Sequence, residues 1–258
     1  MPTASAARRA LRAHWPEYLI EAWALATFMV SASIVTTELE APGGLLRGAI
    51  GNYRVRLALI GLAMGSTAVA LIYSPWGKRS GAHMNPCVTL AFFSLGRISA
   101  IDSAFYIIAQ FAGGLLGVLA AWALLGSAFA QPPVSFIVTL PGTAGTAAAF
   151  LAEAGISLML MLAILEVSNS RRWSQYSGLV AGLLITCYVA FESPLSGMSM
   201  NPARTLASAL PARNCVGLWI YFSAPCLGMW AAARIFDAST PWAQRSHHSA
   251  KIVHTPES

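Results

Sequence analysis

Two stretches of this chain are near copies of one another. Ser80-Gly81-Ala82-His83-Met84-Asn85-Pro86-Cys87-Val88-Thr89-Leu90-Ala91 and Ser196-Gly197-Met198-Ser199-Met200-Asn201-Pro202-Ala203-Arg204-Thr205-Leu206-Ala207 agree at eight of twelve positions, offset by 116 residues (196 − 80). Asn is a strong helix N-cap and Pro is favoured at the first helical position, so each copy reads as a helix start. The apolar runs that follow, 86–96 and 202–210, are too apolar for surface loops. At about ten residues and 1.5 Å each they reach only about 15 Å, half of a roughly 30 Å hydrocarbon core. Two half-helices that enter a membrane and turn back satisfy both facts. Irregular backbone at that depth is tolerated only inside protein or along a water-filled cavity.

The rest of the chain supplies the membrane context. Hydrophobic residues make up 56% and charged residues 10%, against about a quarter charged in soluble domains. Six runs qualify as spans: 16–38, 54–74, 101–126, 144–168, 178–194 and 217–237. Tyr18-Leu19-Ile20-Glu21-Ala22 resembles Phe150-Leu151-Ala152-Glu153-Ala154, Tyr106 aligns with Tyr221, and Gly113 aligns with Gly228. Each half therefore reads helix, helix, half-helix, helix. Three spans per half is an odd number, so the second half inserts upside down, as an inverted repeat with its site at the midplane. The expected fold class is an all-α membrane protein of six spans and two re-entrant half-helices. The expected organisation is an N-terminal segment 1–15, a membrane domain 16–237 (repeats 16–126 and 144–237) and a disordered tail 238–258.

With the N-terminus inside, Arg8, Arg9, Arg12, Lys78, Arg79, Arg97, Arg171, Arg172, Arg234, Arg245 and Lys251 lie inside, eleven of the 16 basic residues. That bias puts both termini in the cytoplasm of a multi-pass cell-membrane protein. The N-terminus has no small-residue cleavage site, so it reads as a retained helix. The net charge of +6 is scattered at segment ends, and without a basic face nucleic-acid binding is excluded. Cys87, Cys187, Cys215 and Cys226 show no paired spacing, so no disulfide framework, metal site or cofactor is expected.

An inverted pair of helix starts points both N-termini at one midplane spot. Each carries about half a positive charge and unpaired N–H donors. Such a spot repels cations, protons included, and orients a neutral solute by its oxygen. At these residues the chain resembles the aquaporin (major intrinsic protein) family over about residues 16–237. Asn85-Pro86-Cys87 and Asn201-Pro202-Ala203 stand where that family has its two NPA boxes, and Ser80 to His83 and Arg204 match their flanks. The resemblance implies a homotetramer with one pore per protomer, conducting water and small neutral solutes. It also implies that the buried carboxylates of Glu21 and Glu153 hold loop N–H groups. His83 is read as bracing the loop, since no second metal ligand lies near it in sequence.

The resemblance further implies a constriction of four side chains outward of the NPA pair. Counting back from the boxes places Gly65, Val189, Met198 and Arg204 there. Gly65 and Val189 replace an aromatic ring and an imidazole of water-selective members, so the filter is expected to be wide and apolar. A folded-in Met198 would narrow it to a water channel. Thr205, where glycerol facilitators carry Asp, together with Ala209 and Tyr221-Phe222, resembles water channels instead. Cys87 is expected at or just behind the pore wall. A coupled transporter would need a titratable cluster at the midplane. An enzyme would rest on Cys87 with His83 alone.

Overall fold

A computed structural model describes residues 4–239. Eight longer helices carry the fold among the described residues: α1 (Ala4–Glu40), α2 (Tyr53–Tyr73), α3 (Pro86–Ser94), α4 (Ala100–Leu125), α5 (Gly145–Asn169), α6 (Ser177–Phe191), α7 (Pro202–Ala212) and α8 (Leu218–Ser239). Five are long and apolar enough to cross a membrane: α1, α2, α4, α5, and α6 with its leading turn. A further helix of spanning length is α8, 22 residues, whose last turns carry Arg234 and Asp237. The half-helices α3 and α7 are 9 and 11 residues long. The expected tail begins inside α8, which continues to Ser239; residues 240–258 lie outside the described residues.

The first helix is longer than its apolar run. It begins at Ala4 and passes through Pro16 without ending, where the sequence suggested a start at Pro16. Both sides of that proline are tied to one carboxylate. Asp102 Oδ1 lies 2.9 Å from His14 Nδ1 and accepts from the Tyr18 hydroxyl at 2.6 Å. Ser99 caps α4 and donates to Asp102 Oδ2 at 2.6 Å, fixing the acceptor.

Helix pairing follows the repeat. The largest interfaces join α1 with α4, α5 with α8, and α2 with α6. The first two are equivalent in the two halves, and small residues set both. A Cβ at Gly113 would collide with the Ala22 backbone, and one at Gly228 with the Ala154 carbonyl. Close backbone approach at small residues is how helices associate where lipid is as apolar as the side chains. Leu62, Ile108, Leu116, Leu151, Leu183 and Phe191 point outward and exposed, as a lipid-facing surface requires.

Candidate functional site

The two Asn-Pro stretches adopt the same geometry. Asn85 Oδ1 accepts from Cys87 N at 2.9 Å; Asn201 Oδ1 accepts from Ala203 N at 3.0 Å and Arg204 N at 3.2 Å. Each side chain thus caps its half-helix, with Pro86 or Pro202 in the first turn, as residue type alone demanded. The leading loops match residue for residue. Gly81 and Gly197 share φ 86°, Ala82 and Met198 lie at 48° and 49°, and Met84 and Met200 at 50° and 54°. Left-handed backbone at four residues with a Cβ costs about 1–2 kcal/mol each.

Two buried carboxylates offset that cost. Glu21 accepts from Ser80 Oγ (2.9 Å), His83 N (2.9 Å), Met84 N (2.6 Å) and Gln110 Nε2 (2.8 Å). Glu153 accepts from Ser196 Oγ (2.9 Å), Ser199 N (2.6 Å) and Met200 N (2.7 Å). Hydrogen bonds to a charged acceptor contribute about 1.5–3 kcal/mol each. Tyr106 and Tyr221 donate to the carbonyls of Ser80 and Ser196 at 2.8 and 2.6 Å, closing each loop from the last helix of its half. His83 is buried, with Nδ1 3.1 Å from Thr89 Oγ1 and its ring stacked on Phe92 at 4.9 Å. Its counterpart Ser199 meets Thr205 Oγ1 in the same way.

The halves are then locked to each other. Asn85 Nδ2 donates to the Met200 carbonyl and Asn201 Nδ2 to the Met84 carbonyl, both at 2.7 Å. Each amide keeps a second N–H, and both asparagines line one elongated cavity of about 1110 Å³. The model of the major intrinsic protein family matches residues 11–236. The chain belongs to that family. A probable aquaporin of the NIP type from Nicotiana alata is 35% identical over 215 residues, covering 75% of this chain and 76% of the relative. Aquaporin NIP3-1 of Zea mays is 37% identical over 194 residues, 71% of this chain; the match spans 63% of the maize protein. Among solved structures, the aquaglyceroporin from Plasmodium falciparum superposes with a TM-score of 0.73 at 21% identity, covering 88% of this chain and 96% of that one. The all-α architecture of this major intrinsic protein is therefore the aquaporin fold.

Not every residue expected at the pore lies on its wall. Val189, Met198 and Arg204 line the cavity together with both asparagines and His83. Gly65 does not. A Cβ there would collide with Thr186 Oγ1 and the Gly182 carbonyl, so Gly65 is where α2 and α6 touch. The cavity stripe of α2 is Ile60, Met64, Ala68 and Ile72, four residues apart. Met64, not Gly65, therefore belongs with Val189 and Met198, and it joins them in one buried apolar cluster. Counting from Asn85 is one residue out, and one residue turns a helix by about 100° at 3.6 residues per turn. On this stripe of α2 the cavity wall is a thioether chain rather than the bare backbone expected from Gly65.

Cys87 is also off the wall. It is buried against α8 and joined to Cys226 in a disulfide, with Cα atoms 4.7 Å apart. Residue spacing could not reveal this pair, because 139 residues separate partners that only packing of α3 on α8 brings together. Pro86, Pro202 and Ala203 are likewise buried behind the lining.

The connector 127–143 contributes residues that the sequence reading missed. Phe136 wedges edge-on against Trp122 at 5.2 Å and Phe129 at 5.3 Å. That anchor turns Ile137 onto the cavity wall and sets Thr139 Oγ1 2.5 Å from Arg204 Nη1. The only hint in the sequence was a connector with no charged residue at all.

Proposed function

We propose that this chain is a passive channel for water and small uncharged solutes that excludes protons and ions. One observation carries the reading: a single cavity runs from Arg204 and Ile137 at one end, past Asn85 and Asn201, to Arg97 and Arg171 at the other. Its wall holds three arginines and no carboxylate. Two half-helix N-termini add positive potential at its middle, so a cation meets repulsion along the whole path. Neutral solutes find the spare N–H of each asparagine and an otherwise apolar surface. The constriction consists of Met64, Val189, Met198 and Arg204. The aquaporins and the aquaglyceroporin that the chain resembles support the same solute class.

A second reading, a strictly water-selective pore, is favoured by Met64 and Met198, two flexible thioether chains on the cavity wall where Gly65 was expected to leave a gap. Proteoliposome swelling with water, glycerol, urea and arsenous acid decides between the two. Fast, unsaturable solute flux with no proton leak supports the broader channel; water flux alone supports the narrower one. Loss of both overturns the channel reading. The Lys and Arg bias supports a cell-membrane orientation with both termini in the cytoplasm. Homotetrameric assembly rests on the family resemblance, and the mass of the detergent-solubilised protein tests it.

A further inference from the structure

The cavity end farthest from Arg204 is chemically unlike the rest of the path. Arg97 follows α3 directly, after the turn at Gly96. Its guanidinium lies 5.9 Å from the ring centre of Phe92 and 5.5 Å from that of Phe236. Its Nη2 donates to Asn169 Oδ1 at 3.2 Å. Two rings and an amide therefore fix the plane of the group and leave most of its five N–H donors unclaimed. Arg171 lines the same mouth with Ser170, Ser174 and Ser177. Among the described residues neither arginine has an acidic partner within ion-pair distance.

A half-buried guanidinium without a counter-charge is expensive, and burial pushes the Arg97 group below its ordinary pKa; Arg171, at the exposed rim, adds its charge to the same mouth. An anion would offset that cost. The donor set is two guanidinium groups and three hydroxyls, with no carboxylate on the wall. Planar guanidinium forks match tetrahedral oxyanions, phosphate above all. The serine hydroxyls supply the shorter-range contacts, while Asn169 holds Arg97 in place and keeps its own NH₂ on Leu165 and Ser168.

We infer that this mouth is a binding site for a phosphate group, and that an occupant there obstructs the pore. The blocking step rests on the channel reading above; the binding step does not. Soluble phosphate or a phosphate monoester would reach the site from the aqueous mouth, and a phospholipid headgroup from the membrane edge. Two readouts keep the parts separate. Phosphorus NMR of the detergent-solubilised protein reads binding of inorganic phosphate directly. Swelling of phosphatidylcholine proteoliposomes, with phosphate on both sides at matched osmolality and ionic strength, reads obstruction whatever the orientation of the protein.

The expected result is line broadening that saturates, together with a water flux that falls to about half near a dissociation constant on the order of 1 mM. Arg171→Gln, a change at an exposed residue, should weaken both effects by about tenfold, the value of one charge-assisted contact. Arg97→Gln should weaken them at least as much. A parallel set of vesicles containing phosphatidic acid and no free phosphate tests the lipid source, and slower flux there assigns the site to a headgroup. The inference fails if phosphate produces neither broadening nor slower flux. It fails equally if chloride at the same ionic strength acts as strongly, or if the arginine variants respond like the parent. Binding without any loss of flux overturns the obstruction, and a protein that conducts nothing silences only the swelling arm.

Discussion

Replacing Glu153 by Gln tests how the loop of the second half-helix is held. The two side chains have nearly the same shape, so packing is conserved and only hydrogen bonding changes. The amide oxygen can still accept from Ser196 Oγ and Ser199 N, which share one carboxylate oxygen at 2.9 and 2.6 Å. The amide NH₂ then faces Met200 N–H, which donates to the other oxygen at 2.7 Å. Two donors cannot share that gap. The charge-assisted bond is lost, at about 1.5–3 kcal/mol, and a buried N–H is stranded, at about 1–3 kcal/mol. These terms overlap, so the expected destabilisation is about 2–4 kcal/mol. At roughly 2–4 °C per kcal/mol, the unfolding temperature in detergent should fall by about 5–15 °C. Function should suffer as well, because the Met200 carbonyl receives Asn85 and Met198 sits two residues earlier on the wall. Swelling assays should show altered solute discrimination even in protein that remains folded. Glu166→Gln, on the exposed face of the same helix, is the control. A Glu153→Gln protein as stable as the parent and the Glu166 control would refute the claim that the carboxylate holds the loop.

Other positions separate the pore wall from its surroundings. Met64→Ala should raise flux of glycerol-sized solutes relative to water, measured by swelling, while Gly65→Ala should leave selectivity alone and cost about 1–3 kcal/mol through its collision with Thr186 and Gly182. The reverse pattern would restore Gly65 to the filter. In denaturing detergent a maleimide should modify Cys187 and Cys215 without reductant, and reach Cys87 and Cys226 only after reduction; mass spectrometry of the labelled peptides reads the outcome, and labelling of Cys87 in unreduced, denatured protein contradicts the pairing. Thr139→Val removes the hydroxyl 2.5 Å from Arg204 Nη1, freeing the guanidinium to move; solute selectivity in the swelling assay should broaden, and an unchanged solute profile would show that Arg204 is held by other contacts.

Much of this architecture is dictated by local chemistry that can be read without coordinates. Asn before Pro starts a helix wherever it stands, and an apolar run half as long as a membrane is thick has few places to go. The paired motif and the odd number of spans per half follow from residue type and spacing alone; the loop-holding role of Glu21 and Glu153 came from the family resemblance. What tertiary structure decided is which face of each element meets the pore. Gly65 and Met64 are neighbours in sequence, yet about 100° of helical rotation sends one into the α6 contact and the other onto the cavity. The one-turn helix Pro75–Ser80 lies in the connection across which the residues were counted. The Cys87–Cys226 pair and the Thr139 contact with Arg204 are of the same kind, 139 and 65 residues apart in the chain. Helical periodicity fixes that a face exists; packing against a second element, distant in sequence, fixes where that face points.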